Sequence, residues 1–248
     1  MHRFFVSDEN IQDNEIRIVG TDVNHIKNVL RLSIDDNIET IGSKYNYICS
    51  IEIINKDEVV LRVIEVKKKM NESPIRINLY QGLPKSAKME MIIQKCTEVG
   101  VFSFHPVSTN RSVVKINDLK KEEKKISRWQ SIAEEAAKQS KRDIIPKVEN
   151  ILSFNEMLKL LADKLVVVPY EGEKDTFIKD LGKFINKDNE INIVIGPEGG
   201  FEDYEIEKLG SIGSHIISLG PRILRTETAG IVTASILLYE YGDLGVIK

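Results

Sequence analysis

Three short segments gather the residues best suited to chemistry: Val168-Pro169-Tyr170-Glu171-Gly172, Ile195-Gly196-Pro197-Glu198-Gly199-Gly200-Phe201 and Leu219-Gly220-Pro221-Arg222-Ile223-Leu224-Arg225-Thr226. Each follows an apolar run. Glycine lets a backbone come close to a ligand, and the missing side chains leave room for a flat ring. Taken singly, each segment reads as a tight strand–helix turn. Taken together, with Arg222, Arg225, Glu198 and Glu227 beside them, they read as one site that holds a ligand largely through backbone groups.

Several other chemistries are excluded. The Gly196–Gly200 loop does not match GxGxxG, and no GxxxxGK[ST], HExxH or GxSxG occurs, so dinucleotide, P-loop, zinc-peptidase and serine-hydrolase readings lose their support. Cys49 and Cys96 form no CxxC pair, which removes a zinc ribbon, a redox motif and a disulfide framework. His2, His25, His105 and His215 are scattered and read as structural or hydrogen-bonding residues, so no metal is expected.

The elements that position these segments follow from hydrophobic periodicity. Residues 1–70 read as short β segments (His2–Ser7, Glu15–Val19, Asn37–Ile41, Tyr47–Ile54, Val59–Val66) around one helix through His25, Ile26, Val29 and Leu30, capped by Thr21 or Asp22. That spacing suggests a small β-barrel. The run Lys67-Lys68-Lys69-Met70-Asn71-Glu72-Ser73-Pro74 breaks the pattern and marks a boundary, giving domains 1–70 and 74–248. Beyond it the chain alternates in α/β fashion. Strands are expected at Ile75–Tyr80, Val101–Val107, Leu165–Val168, Ile191–Ile195 and His215–Leu219. Helices are expected after a Ser86 cap to Gly100, over roughly Leu119–Lys141, and over Thr226–Tyr241. The strands are apolar without alternation, as in a parallel sheet covered on both faces. The stripe Ile231, Ala234, Leu238 and Tyr241 fits a subunit interface and an internal core equally well.

The 248 residues are 42% hydrophobic and 29% charged, a globular composition. No apolar stretch approaches the length that spans a bilayer and the N-terminus lacks a signal-peptide pattern, so a cytoplasmic, reduced protein is expected, without membrane contact. Net charge is −3, yet Arg111–Lys147 holds 11 basic and 6 acidic residues. This local excess fits a polyanion contact or an ordinary solvated helix face.

The pair Ile195-Gly-Pro-Glu-Gly-Gly-Phe201 and Leu219-Gly-Pro-Arg-Ile-Leu-Arg-Thr-Glu-Thr-Ala229 closely resembles the SPOUT superfamily of S-adenosylmethionine-dependent RNA methyltransferases. Within it, the chain is similar to the 16S ribosomal RNA (uracil-N3)-methyltransferase family. His2-Arg3-Phe4-Phe5, His25-Ile-Lys-Asn-Val-Leu-Arg31, Gln81-Gly-Leu-Pro-Lys85, Gln94-Lys-Cys-Thr-Glu-Val-Gly100 and Arg128-Trp-Gln-Ser-Ile-Ala-Glu-Glu-Ala-Ala-Lys-Gln-Ser140 extend the likeness over nearly the whole chain, in order.

The resemblance implies an N-terminal PUA-like β-barrel that binds RNA and a C-terminal α/β SPOUT domain with a trefoil knot, assembled as a homodimer and acting on 16S rRNA of the small ribosomal subunit. It places S-adenosylmethionine on Val168, Tyr170, Ile195, Gly196, Gly199 and Gly200, and on Leu219, Gly220, Ile223, Leu224, Thr228 and Ala229. Arg225 would stabilise the charge that develops when a uracil N3 loses its proton, and Glu198 would take that proton or hold its loop through backbone N–H groups. RNA would meet Arg3, Lys27 and Arg31 in the first domain and Arg111, Lys138 and Arg142 in the second. Methylation of another RNA position is the alternative within the superfamily. A non-catalytic RNA-binding, ribosome-assembly role is the alternative outside enzymes, and the glycines at 196, 199, 200 and 220 argue against it.

Overall fold

The computed structural model describes residues 1–85, 87–112, 119–185 and 190–245, so the expected cap Ser86 lies outside the described residues. The chain divides into two compact units, Met1–Asn71 and Glu72–Lys248.

The first unit is a six-stranded sheet of β1 (Arg3–Phe5), β2 (Ile11–Gln12), β3 (Glu15–Val19), β4 (Asn37–Ile41), β5 (Tyr45–Ile54) and β6 (Glu58–Lys68), in the order β1-β4-β5-β6-β3-β2. Only β1 and β4 run parallel. Alternate residues of these strands, among them Phe4, Ile16, Ile18, Ile38, Ile51, Val59 and Leu61, form one apolar interior. The expected helix is a single turn, α1 (Thr21–Asn24), that widens into a π-turn over His25–Val29. Its N-cap is Gly20 rather than Thr21 or Asp22, and no side chain caps it.

In the second unit the order is β7 (Arg76–Gly82), α2 (Lys88–Val99), β8 (Ser103–Ser108), α3 (Leu119–Gln139), β9 (Lys147–Val148), β10 (Leu152–Ser153), α4 (Phe154–Leu161), β11 (Val166–Pro169), β12 (Glu190–Ile195), α5 (Asp203–Ser211), β13 (His215–Ile217) and α6 (Thr226–Tyr241). Every strand pairing is parallel, in the order β10-β8-β7-β12-β11-β13, with β9 also beside β8. Parallel pairing needs crossovers, so helices cover both faces. On one face Ile77, Leu79, Val167, Ile191, Ile193 and Ile195 pack with Met89, Ile92, Trp129, Ala133, Leu237 and Leu238 of α2, α3 and α6. On the other, Tyr80, Val166, Val168 and Val194 pack with Phe154, Met157, Leu161 and Leu209 of α4 and α5. Among the described residues no helix is long and apolar enough to cross a membrane.

Short pieces escaped the sequence reading. β9 and β10 have two residues each. The helix α4 carried a legible signal, the capping box Ser153-x-x-Glu156, whose reciprocal hydrogen bonds are present.

The stripe Ile231, Ala234, Leu238 and Tyr241 belongs to the internal core, with Ala234 and Leu238 fully buried. Apolar residues also occupy the opposite side of α6, where Ile236 and Tyr239 are exposed.

Arg142 corrects an expectation. It is buried rather than offered to RNA: Nε and Nη2 reach the two carboxylate oxygens of Glu72 at 3.2 and 2.6 Å, while Nη1 donates to the Thr97 and Val101 carbonyls at the end of α2. Glu72 also accepts from the Asp143 and Ile144 N–H groups. The pair thereby fastens the first residue of the unit to the far end of α3. Removing one partner strands a buried charge, so Arg142→Met is expected to cost about 3–5 kcal/mol of stability in denaturant unfolding. A loss below about 1 kcal/mol, the level of a surface pair, would contradict this assignment.

Candidate active site

Parallel register brings four strand ends to one level. Gln81 pairs with Ile195, Val167 with Ile193, and Pro169 with Ile217, so Gln81, Ile195, Pro169 and Ile217 form one row across β7, β12, β11 and β13. The three glycine-bearing segments leave from this row. From β13 at the sheet edge, residues 218–225 cross the ends of β11 and β12 to reach α6, which packs on β12 and β7. The connection after β11 runs alongside the crossing segment: Tyr170 N–H donates to the Ile217 carbonyl and Ser218 N–H to the Thr176 carbonyl.

A buried amide locks the row. Gln81 Nε2 donates to Thr226 Oγ1 at 2.8 Å, and the Thr226 hydroxyl donates to the Gly196 carbonyl at 2.6 Å. Gly82 is required beside it, because a Cβ there would stand 2.6 Å from the Pro197 nitrogen.

A cleft opens where the segments meet. One end is walled by Tyr170, Leu219, Gly220, Ile223, Leu224 and Ala229 together with Pro169, Glu171, Ser218 and Arg222. It continues along Ile195, Gly196, Gly200 and Phe201 to Glu198, Lys88 and Arg225. Gly220 has φ +103°, a left-handed backbone that L side chains rarely adopt, and no atom lies within 4 Å of where its Cβ would be. Three expected residues stand apart. The Val168 side chain is fully buried toward α4 and α5, so only its backbone approaches the row. Gly199 lies under Arg111, and Thr228 sits in the first turn of α6 without lining the cleft. Pro169, Glu171, Ser218 and Lys88 line the cleft and are not among the residues expected to hold the cofactor. The register of β11 and β13 explains the first three, and nothing in a lone lysine flags the fourth.

Charge is arranged unevenly around the cleft. Glu198 accepts the Lys85 N–H at 3.0 and 3.3 Å and pairs with Lys88 Nζ at 3.0 Å, and Lys88 reaches Glu227 at 3.4 Å. Partial burial alone would raise the Glu198 pKa, but hydrogen bonds from backbone N–H groups and from Lys88 outweigh it and hold the carboxyl below its ordinary value. The paired carboxylate beside Lys88 in turn raises the lysine. Arg225, the exposed N-cap of α6, and the exposed Arg222 form no ion pair among the described residues.

Of the cations expected to meet RNA, Arg3 is buried against Glu39 at 3.0 Å, and Lys138 is folded onto Glu134 at 2.9 Å with its side chain only 11% exposed. Neither is presented to solvent. Arg111 donates to the Gly199 carbonyl at 2.8 Å and to Glu202 at 2.9 Å, clamping the 196–202 loop. Lys27 donates to the Asn55 carbonyl, and Arg31 is exposed. His105 stacks on Tyr80 at 4.2 Å, and burial pushes it down to about 4, so it stays neutral. Among the described residues no three His, Cys, Asp or Glu side chains form a metal-holding group.

Comparison with known proteins places these features in a family. Residues 71–238 match a family model described as an RNA methyltransferase domain, and residues 20–64 match an RNA methyltransferase PUA domain. The chain is 39% identical to ribosomal RNA small subunit methyltransferase E of Bacillus subtilis (strain 168), with 97% of each chain covered. It is 34% identical to the protein of that name from Mesomycoplasma hyopneumoniae (strain 232), over 93% of this chain and 96% of the relative. Among solved structures, it superposes with a TM-score of 0.86 on a Legionella pneumophila methyltransferase holding S-adenosylmethionine, at 30% identity over 97% and 98% of the two chains. The same score is reached with ribosomal RNA small subunit methyltransferase E of Neisseria gonorrhoeae bound to S-adenosylmethionine, at 28% identity over 98% and 99%.

The packing of Gly82 on Pro197 yields a direct test. Gly82→Ala must displace the backbone of the 196–200 loop, and overpacking of this kind costs about 1–3 kcal/mol. A melting temperature equal to wild type would show that the loop does not press on Gly82.

Proposed function

This chain belongs to the ribosomal RNA small subunit methyltransferase E family, and we propose that it methylates N3 of one uridine in 16S rRNA of the small ribosomal subunit, using S-adenosylmethionine. The observation that carries this reading is the cleft at the row of strand ends, where a bare glycine, apolar walls and an arginine with no ion pair among the described residues meet. The cleft fits the cofactor. The open space at Gly220 is where a side chain would collide with a bound ligand. Leu219, Ile223, Leu224 and Ala229 would enclose the apolar parts of the cofactor.

Bound there, S-adenosylmethionine supplies a methyl group on a sulfonium, an electrophile that needs no activation. The protein's task is the nucleophile. Uracil N3 carries an imide proton on its Watson–Crick edge, so the target base must be unpaired or splayed out to enter. Loss of that proton to water spreads charge over N3 and the two carbonyl oxygens, and the guanidinium of Arg225 at the cleft lowers the cost of that charge. As N3 bonds to the methyl carbon, the carbon–sulfur bond breaks. Glu198 is poorly suited to accept the proton, because its carboxylate is already held by Lys85 and Lys88 and its pKa is lowered rather than raised toward neutrality. We assign it the role of loop anchor.

The same reading includes three family features: threading of the 218–225 crossing as a trefoil knot, a place in the cytoplasm, and a homodimer. The exposed apolar side of α6, with Ile236 and Tyr239, supports the dimer. In the first unit the exposed Arg31 would meet RNA phosphates, with Lys27, half-buried on the Asn55 carbonyl, close by in sequence.

Incubation with small subunits lacking the modification and with labelled S-adenosylmethionine should give one methylated uridine. Mass spectrometry of nuclease digests should place the methyl on the base at N3, and a methyl on ribose or a different base would overturn the reading. Arg225→Ala should lower single-turnover kcat at saturating RNA by about 10²–10³, as when one preorganised donor is lost, with cofactor affinity unchanged. A wild-type rate would remove Arg225 from the chemistry. Light scattering should give twice the 28.2 kDa chain mass, and Tyr239→Glu with Ile236→Glu should halve it. A fully active particle of one chain mass would rule out the dimer.

A further inference from the structure

Lys88 stands in the cleft with no role so far. It is the first residue of α2, and its Nζ lies 3.0 Å from Glu198 Oε1 on the glycine loop and 3.4 Å from Glu227 Oε2 in the first turn of α6. Its side chain is about one-third exposed, whereas that of Glu227 is 10% exposed. Glu227 Oε2 has no hydrogen-bond donor of its own among the described residues. The ammonium is therefore set between two carboxylates that belong to different segments, one of them largely buried. Arg225 immediately precedes this turn of α6. It has no ion pair among the described residues, and its carbonyl accepts the Thr228 and Ala229 N–H groups at 2.8 Å.

We propose that Lys88 is a positioning residue for methyl transfer: by bridging Glu198 and Glu227 it ties the 196–200 loop to the start of α6 and so fixes Arg225 over the cleft. Without the ammonium, two carboxylates that both lie within contact of one nitrogen face each other unscreened, and the buried one loses its compensating charge. The loop and the helix start then separate, and Arg225 moves with the helix start. A misplacement of about 1 Å in a group that must meet a transition state costs on the order of 10²-fold in rate. Two other uses of the same ammonium make different predictions. A phosphate contact would change RNA affinity and its salt dependence. A cofactor contact would change S-adenosylmethionine affinity.

The proposal rests on the methyltransferase reading, so wild-type enzyme on small subunits is run in the same assay. The test compares Lys88→Met, Lys88→Arg, Glu227→Gln and the double variant Lys88→Met/Glu227→Gln, with melting curves to confirm folding and calorimetry to measure S-adenosylmethionine binding. Lys88→Met should lower kcat at saturating RNA about 10- to 100-fold while leaving KM for RNA and cofactor affinity unchanged. Lys88→Arg, which keeps the charge, should recover most of the rate. Glu227→Gln should also slow the reaction, and the double variant should be no slower than Lys88→Met, because both changes cut one tie. Should Lys88→Met fail to fold, the Lys88→Arg and Glu227→Gln rates decide: retained in the first and lowered in the second supports the tie, and any other pattern overturns it. A raised KM with a shallower salt slope, a loss of cofactor affinity, or multiplicative effects in the double variant would each overturn the proposal. Wild-type enzyme that transfers no methyl would overturn the functional reading along with it, whereas active wild type with an equally active Lys88→Met would overturn only this inference.

Discussion

The side-chain amide of Gln81 is fully buried where β7 ends, and it cannot be satisfied by water. Its NH2 group must donate within the fold, and it donates to Thr226 at the start of α6, whose hydroxyl in turn holds the Gly196 carbonyl, while Oε1 has no partner among the described residues. Leaving such groups unpaired costs about 1–3 kcal/mol each, so the three segments are held at one relative position with little freedom to drift. Everything in the cleft depends on that position: the glycine loop faces the crossing segment, and Arg225 is the residue just before Thr226. Close packing of Gly82 on Pro197 enforces the same arrangement sterically.

Most of the architecture is legible in the sequence because the hydrophobic pattern and the parallel sheet obey the same rule. Apolar runs without alternation at Ile191–Ile195 and Leu165–Val168 become β12 and β11, buried on both faces. The α6 bounds, Thr226–Tyr241, coincide with the expected ones. The glycines and Arg225 were legible because backbone freedom and charge are concentrated in one loop. What a sequence hides is the partner that arrives from elsewhere. Arg142 and Arg3 look like surface cations until Glu72 and Glu39, 70 and 36 positions away, bury and neutralise them. Lys138 is hidden differently, since its partner Glu134 is one helical turn away and only the packing shows that the lysine is largely covered. Lys88 escaped for the same reason as Arg142: its two carboxylates come from segments over 100 residues further on.

The cleft also separates two uses of charge. Glu198, Lys88 and Glu227 compensate one another, and Arg111 is spent on Gly199 and Glu202, so these groups hold the loops. Among the described residues, Arg222 and Arg225 are left without such partners on the side where a ligand would enter. A site built this way keeps its scaffold charges neutralised and reserves uncompensated positive charge for an anionic partner or transition state.

The strand order carries a consequence for synthesis of the chain. The centre of the sheet is the pairing of β7 with β12, whose Asn78 and Asn192 side chains are hydrogen-bonded across 114 positions of sequence. Contacts of such long range are made late and slowly, because loop closure must precede them. The cleft needs, in addition, α6, Thr226–Tyr241. A nascent chain emerging from a ribosome can complete the Met1–Asn71 unit early, yet it cannot assemble the cleft until α6 has been translated as well. Copies that stop short of α6 therefore carry the first unit without the cleft.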